Sequence, residues 1–231
     1  MLAILSDVHG NLPALEAVLG DAKGKGCTHY ISLGDVVGYY AQPNECIDLL
    51  RKHDIPHLLG NHDNYIVSGT NCERSKVVAS IIDDHKAMIN PSNMKWLFKA
   101  LPRIEMDRTL MLHGGPDDPV DQYIYAIDQS IIPDGFNTLF VGHTHIQYIH
   151  DFGGKRFCNP GSVGQPRDGN PKAAYVIFHD GEIKPQRLEY DIDRTVSEMK
   201  KKGYAAFLYE NLYAGTQIGG RIDQITVNED G

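Results

Sequence analysis

The chain has 231 residues, of which 42% are hydrophobic and 23% charged, a composition that excludes the disordered, collagen-like and coiled-coil classes. Its 22 basic and 30 acidic residues give a net charge of −8, which argues against a protein that coats nucleic acid. Any phosphate that this chain binds must therefore meet a local positive centre.

The first 100 residues alternate between short apolar runs and segments with helical spacing of apolar residues. The apolar runs predict strands, at residues 2–6, 30–33 and 57–59. The other segments predict helices, at residues 11–24, 43–50, 75–89 and 90–101. This alternation predicts a βαβαβ beginning with parallel strands.

After Pro102 the sequence changes to short β-rich runs separated by turn residues. Further strands are predicted at residues 109–112, 139–141, 146–151, 156–158, 174–178 and 182–190. Residues 152–155 and 180–181 are predicted hairpin turns, so this half is expected to be mostly antiparallel. The predicted fold class is α/β (α+β by some schemes), a four-layer α/β/β/α sandwich of two mixed sheets flanked by helices. Residues 1–231 are expected to form a single domain, with a helix over 192–202 and a tail, about 191–231, packed on it.

Most of the predicted strands in the first 150 residues are followed at once by residues that can bind a cation. Eight such side chains are candidates for one site: Asp7, His9, Asp35, Asn61, His62, His113, His143 and His145. The carboxyl ends of neighbouring strands in an open α/β sheet meet at one edge, where ligands distant in sequence come together. We therefore expect one crevice to hold all eight.

This mixture of donors indicates metal chemistry. Imidazole suits borderline cations, and carboxylate and amide oxygens suit harder ones such as manganese or iron. Seven of the eight could fill two sites if one carboxylate bridges, and two cations about 3.5–4 Å apart activate water and clamp a phosphoryl oxygen. Each motif alone is typical of a turn or helix cap, so the prediction depends on all five occurring together.

The five motifs resemble those of the calcineurin-like metallophosphoesterases. The matching blocks, in order, are Asp7-x-His9, Gly34-Asp35, Gly60-Asn61-His62-Asp63, His113 and Gly142-His143-x-His145. The resemblance covers residues 1 to about 178. It is strongest to the small bacterial phosphodiesterases of that superfamily, in which an Asn-Pro-Gly-Ser run, here residues 159–162, also follows the last motif.

The resemblance implies a role for each candidate residue. Seven side chains would hold two metal ions: Asp7, His9 and His145 the first, Asn61, His113 and His143 the second, and Asp35 both. His62 would stabilise the attacked phosphoryl group or protonate the leaving oxygen. The ions would be divalent or trivalent transition metals, with manganese or iron favoured and nickel, cobalt or zinc as alternatives. A hydroxide between them, rather than a side chain, would be the nucleophile.

The predicted function is a metal-dependent phosphoester hydrolase, in particular a phosphodiesterase acting on a small nucleotide-like or other diester. A phosphomonoesterase such as a nucleotidase, or an asymmetrical dinucleoside polyphosphate hydrolase, would share the same centre. Gly38 and Tyr39 stand where protein serine/threonine phosphatases and symmetrical dinucleoside tetraphosphatases place acidic or arginine residues, so those activities are not favoured. A non-catalytic scaffold of the same superfamily ranks lower, because all eight positions are filled.

Residues outside the motifs leave alternatives open. Arg167 could bind a substrate phosphate, but a solvated loop arginine is the favoured interpretation. Tyr39 and Tyr40 could stack on a base or pack in the cleft wall. Asp117 and Asp118 are interpreted as a turn. The remaining histidines are interpreted as ordinary surface or half-buried residues: His29, His53, His57, His85, His150 and His179.

The expected partner is a small phosphoester, with no general nucleic-acid binding and no membrane. The longest uncharged stretch, residues 135–150, is polar and shorter than the roughly 20 apolar residues of a membrane helix. The four cysteines form no Cys-x-x-Cys pair, which favours free thiols in the reducing cytoplasm. An oligomer is neither predicted nor excluded.

Overall fold

The computed structural model describes residues 1–228 and contains six α-helices and eleven strands in that part of the chain. The helices are α1 Leu12–Gly24, α2 Pro43–Lys52, α3 Asn61–Ser68, α4 Lys76–Met88, α5 Pro91–Leu97 and α6 Ile192–Lys201. The strands are β1 Leu2–Leu5, β2 His29–Ser32, β3 Ile104–Met106, β4 Thr109–Met111, β5 Ala126–Ile127, β6 Thr138–Phe140, β7 Gln147–Asp151, β8 Arg156–Pro160, β9 Ala173–His179, β10 Glu182–Leu188 and β11 Thr226–Val227.

Two mixed sheets form the centre of the fold. The first has the order β10-β9-β1-β2, with β1 and β2 parallel and the other pairs antiparallel. The second has the order β3-β4-β6-β8-β7, with β4, β6 and β8 parallel and antiparallel strands at both edges. Strands β5 and β11 form a separate parallel pair. The predicted architecture of two mixed sheets flanked by helices is therefore confirmed.

Strand alternation assigns the apolar side chains of the sheets to different layers. Ala3 and Leu5 of β1 join the cluster that contains the buried faces of the helices, whereas Ile4 between them joins the cluster between the two sheets. The outer face of the second sheet packs on a segment of residues 124–132. Each sheet is thus covered on both faces, which keeps its carboxyl edge as the place where side chains can converge.

The second half is mostly antiparallel, as predicted, in the pairs β3–β4, β7–β8, β9–β10 and β1–β9. Its parallel pairs include β4 with β6, because the long connection over residues 112–137 returns the chain to the same end of the sheet. Two other predictions about the elements are wrong. Residues 57–59 make only isolated bridges, Ser32 with His57 and Leu58 with Leu101, because the chain enters α3 at Asn61. Residues 61–63, interpreted as part of a turn, begin that helix, and Asp63 accepts a hydrogen bond from the Gly60 backbone N–H at 3.4 Å.

Asn11 joins three parts of the chain at the start of α1. Its Oδ1 caps the helix by accepting from Ala14 N at 3.3 Å and also accepts from Thr195 Oγ1 of α6 at 2.8 Å. Its Nδ2 donates to the carbonyl oxygen of Gly164 at 2.8 Å. Among residues 1–228, no helix is long and apolar enough to cross a bilayer.

Candidate metal centre

The eight candidate side chains lie together where strands of both sheets end. Within three overlapping groups, the potential ligand atoms all lie within 4.8 Å of one another: Asp7 with His9 and His145, His9 with Asp35 and His62, and Asp35 with His113 and His143. Asn61 Oδ1 lies 3.4 Å from His113 Nε2 and joins the same set. All eight residues are buried.

Asp35 occupies the middle of the cluster. Its Oδ2 lies 3.6 Å from His9 Nε2 and 3.5 Å from His113 Nε2. Asp7 Oδ1 lies on one side, 3.3 Å from His145 Nε2. The carboxylate of Asp35 is therefore placed to serve two groups of ligands at once.

Three imidazoles are held in the orientation that suits a metal. The Nδ1 atoms of His9, His113 and His145 lie 2.8, 2.9 and 2.7 Å from the backbone carbonyl oxygens of residues 37, 33 and 165. A carbonyl only accepts, so each Nδ1 carries a proton and each Nε2 faces the cluster as the atom available to a metal. The Nε2 atoms of His9 and His145 are only 3.0 Å apart, so a cation between them would relieve the repulsion of two lone pairs.

The electrostatics of the two carboxylates also fit a cation. Burial raises the pKa of Asp35, but the positively charged forms of His113 and His62 outweigh burial and hold it well below its usual value. Burial likewise opposes ionisation of Asp7, and His145 outweighs it, so the pKa of Asp7 is lowered. Among residues 1–228 neither carboxylate pairs with a lysine or arginine. The positive charge beside them comes from His113, because burial lowers the pKa of this imidazole but Asp35 outweighs burial and raises it to about 9. A bound cation would take the place of that proton as the partner of the two carboxylates.

The backbone of the cluster is in a conformation that most residues avoid. Of the nine non-glycine residues with positive φ between residues 1 and 228, six belong to or adjoin the site, with φ between 52° and 66°: Asp7, His9, Asp35, Tyr39, His143 and His145. Such positions cost roughly 1–3 kcal/mol each and concentrate at functional sites. Asp7 N and His9 N donate to the carbonyl oxygens of Gly34 and Asp35, both at 3.0 Å, so the pairing of β1 with β2 continues through the ligand loops.

His62 lies beside the cluster at the start of α3. Its ring centroid is 4.8 Å from that of His9 and 4.9 Å from that of Tyr39. Its backbone N–H donates to Asp35 Oδ1 at 2.9 Å, and its Nδ1 is buried without a hydrogen-bond partner in the described residues. Burial lowers the pKa of His62 to about 4, so the imidazole is neutral near pH 7.

A cleft of about 610 Å³ opens from the cluster, a size that suits a small ligand. Asn61 and His62 line its inner end. Its walls carry three tyrosines and three arginines: Tyr39, Tyr123, Tyr125, Arg74, Arg167 and Arg221. Positive charge and aromatic surface therefore surround the approach to the cluster.

Three residues differ from their interpretation in the sequence. Arg167 is buried rather than solvated, because its guanidinium packs against Tyr39 and Gln165. His85 is buried on the apolar face of α4, where its Nδ1 accepts from Gly38 N at 3.0 Å. His57 is buried and stacked on Trp96, with ring centroids 3.5 Å apart. The apolar spacing of α4 already included position 85, whereas no local pattern marks the burial of Arg167.

The structure also places the other residues that the sequence singled out, and it adds one that the sequence did not. Asp118 forms the predicted turn by accepting from Val120 N at 2.9 Å. Tyr40 is fully buried, whereas Tyr39 faces the cleft. Sequence reasoning missed Asp121, whose Oδ1 lies 3.4 Å from His143 Nε2 and 2.5 Å from Arg74. It lies in a loop without a recognisable motif.

Comparison with known proteins gives the following matches. The model of the calcineurin-like phosphoesterase superfamily domain matches residues 1–181. The uncharacterized protein MJ0912 of Methanocaldococcus jannaschii is 35% identical over 242 aligned positions, covering 93% of this chain and 98% of that protein. Phosphodiesterase YfcE of Escherichia coli K12 is 26% identical over 182 positions, covering 78% and 88%. The crystal structure of a metallophosphoesterase from Sphaerobacter thermophilus superposes with a TM-score of 0.78 at 32% identity, covering 93% and 98%.

Proposed function

The chain belongs to the calcineurin-like phosphoesterase superfamily, and we propose that it is a binuclear phosphodiesterase acting on a small nucleotide-like diester. Membership of the family supports phosphoester hydrolysis. The observation that carries the proposal is the convergence of two carboxylates, one amide and five imidazoles at the carboxyl edges of both sheets. The relative YfcE is a phosphodiesterase, which supports a diester as the substrate.

In this proposal two transition-metal ions, manganese or iron, are held by seven side chains. The first group is Asp7, His9 and His145, the second is Asn61, His113 and His143, and Asp35 is shared. The contacts of Asp35 Oδ2 with His9 and His113, at 3.6 and 3.5 Å, support the shared role. When bound, such ions supply the Lewis acidity that activates water and stabilises phosphoryl charge.

Residues of the chain itself orient the metal-binding imidazoles and donate a proton to the leaving group. The carbonyl contacts of the three Nδ1 atoms fix the imidazoles so that their Nε2 atoms face the ions. His62 is assigned to the leaving oxygen, to which it would donate a proton. Since burial lowers the pKa of His62 to about 4, the imidazolium form needed for that step would be favoured by an anionic substrate in contact with it.

The cleft supports a diester rather than a monoester. A diester has a second organic group, which must find a surface beyond the attacked phosphorus. Tyr123 and Tyr125 offer parallel rings with centroids 5.8 Å apart and an interplanar angle of 9° in the cleft wall. Such rings suit a planar group such as a nucleobase.

The proposal is tested by turnover of matched phosphoesters. The purified chain is loaded with manganese or iron and given bis(4-nitrophenyl) phosphate, 4-nitrophenyl phosphate and diadenosine tetraphosphate. We expect hydrolysis that depends on metal, is abolished by chelation, and is faster for the diester than for the monoester.

Other results would reassign the function. Faster turnover of the monoester would indicate a phosphomonoesterase, and selective turnover of diadenosine tetraphosphate would indicate a dinucleoside polyphosphate hydrolase. A metal-loaded protein without turnover of any of the three would contradict the enzymatic assignment and favour a scaffold.

A further inference from the structure

Arg167 is a buried guanidinium beside the metal centre. Arg167 is only 5% exposed, and it lines the same cleft as His62. It lies on the loop after β8, where its N–H donates to the carbonyl oxygen of His145 at 3.3 Å. The backbone of Gln165, two residues earlier, accepts from His145 Nδ1. One loop therefore holds both an imidazole of the centre and this arginine.

Neutral groups hold the guanidinium in place. Its Nη2 donates to Tyr39 Oη at 3.0 Å and to Gln165 Oε1 at 2.6 Å, and its Nε donates to the same Oε1 at 3.0 Å. Its central carbon lies 5.4 Å from the centroid of the Tyr39 ring. Nη1 bonds to none of the residues 1–228. The side chain is thus rigidly oriented with donors to spare.

The charge of Arg167 is not compensated within the described part of the chain. The other two arginines of the cleft each pair with a carboxylate, Arg74 with Asp121 at 2.5 Å and Arg221 with Asp223 at 2.8 Å. No carboxylate among residues 1–228 pairs with Arg167. Since a buried charge without a counterion is costly, the site is built to receive an anion from the cleft.

We propose that Arg167 binds an anionic phosphate oxygen of the substrate, and that Tyr39 and Gln165 orient it. This inference rests on the proposed function, because it takes a phosphoester as the ligand. Tyr39 connects the arginine to the reacting region, since its ring lies 4.9 Å from that of His62 and 4.7 Å from that of His9. Arginine is suited to phosphate because its planar donors match two oxygens at once.

The test removes or neutralises the guanidinium. In Arg167→Met and Arg167→Lys, we expect KM for bis(4-nitrophenyl) phosphate, and the Kd of inorganic phosphate measured by calorimetry on the metal-loaded protein, to rise about tenfold or more. The lysine variant should lose less phosphate affinity than the methionine variant, because lysine keeps the positive charge and loses only the two-point geometry of the guanidinium. Arg156→Met, which removes a half-buried arginine that contacts Gly181 and Thr138, is the matched control and should leave both constants unchanged.

Gln165→Glu separates a binding role from a structural one. The new carboxylate would pair with Arg167 and neutralise it in place, so a purely structural arginine would become better satisfied without any effect on phosphate. We expect a protein at least as stable to heat, with phosphate affinity lowered about tenfold. This variant keeps the inference testable even if Arg167→Met fails to fold.

Comparison of two substrates distinguishes whether Arg167 binds the scissile phosphate or a neighbouring one. If the oxygen belongs to the scissile phosphate, Arg167→Lys lowers kcat/KM equally for the simple diester and for diadenosine tetraphosphate. If it belongs to a neighbouring phosphate, kcat/KM falls only for diadenosine tetraphosphate, and KM for bis(4-nitrophenyl) phosphate, which has a single phosphate, does not rise. Unchanged phosphate affinity and KM in both Arg167→Lys and Gln165→Glu would overturn the inference. Phosphate calorimetry needs no turnover, so failure of the proposed function and failure of this inference give different results.

Discussion

Gly38 leaves the space that His62 occupies. A Cβ at this position would lie 2.2 Å from Nδ1 of His62, and the backbone φ of +93° is one that other residues rarely adopt. We expect Gly38→Ala to displace the imidazole, lower kcat/KM for the diester by at least tenfold and reduce the free energy of unfolding by about 1–3 kcal/mol. Kinetics and urea denaturation measure the two effects. Gly20→Ala in α1, where a Cβ meets nothing within 4 Å, is the control and should leave turnover unchanged.

Variants of Asp35 and His62 should distinguish loss of metal binding from loss of turnover with the metal still bound. We expect Asp35→Asn and His62→Ala each to lower kcat by roughly 100-fold or more, the first because both groups of ligands share this carboxylate and the second because the proton donor is lost. Metal analysis of the purified variants should show the ions retained in His62→Ala and depleted in Asp35→Asn. Full activity in both variants would contradict the assigned roles.

At the scale of elements, Asn11 connects α1, α6 and the loop after β8. Asn11→Ala removes a helix cap and leaves the buried Gly164 carbonyl oxygen and Thr195 hydroxyl without their partner. We expect the free energy of unfolding to fall by about 2–4 kcal/mol, measured by urea denaturation. Ser75→Ala removes only the cap of α4, through Val78 N, and should cost about 1 kcal/mol. Equal losses in the two variants would show that Asn11 acts as a cap alone.

The elements also show what the sequence could and could not predict. Apolar runs ending in Asp7, Asp35 and His143 predicted both the strands and the convergence of their last residues, because the carboxyl edge of a sheet follows from strand direction. The beginning of α3 at Asn61 was missed, since Gly-Asn-His-Asp is equally typical of a turn. The burial of Arg167 depends on packing against residues about 128 positions away, such as Tyr39, and no local pattern encodes it.

The whole molecule should lose stability in acid through imidazoles outside the site. Burial lowers the pKa of His57 to about 4 and that of His85 to about 3, from an ordinary value of 6.5. The unfolded chain therefore binds more protons than the folded one between about pH 6.5 and pH 4, so the free energy of unfolding falls as the pH falls through this window.

The pH dependence is measured on the metal-free protein by urea denaturation at pH 7.5 and pH 5.0. His57→Phe keeps an aromatic ring against Trp96 and removes one titrating group, so we expect a smaller loss of stability between the two pH values than in the unsubstituted chain. His179→Gln, at an exposed position, is the control and should leave the difference unchanged. An identical loss in His57→Phe would contradict the assignment.

Hydrogen bonds continue the pairing of β1 with β2 into the loops that carry Asp7, His9 and Asp35, and they affect how these loops bind ions. Asp7 N, His9 N and Gly10 N donate to carbonyl oxygens of residues 34–36 at 2.9–3.0 Å, all within the chain itself. Because these bonds join backbone groups and need no ion, we expect these amides to resist exchange with deuterated solvent even after chelation. Loading would then be limited by shedding water from the incoming ion rather than by ordering of the polypeptide.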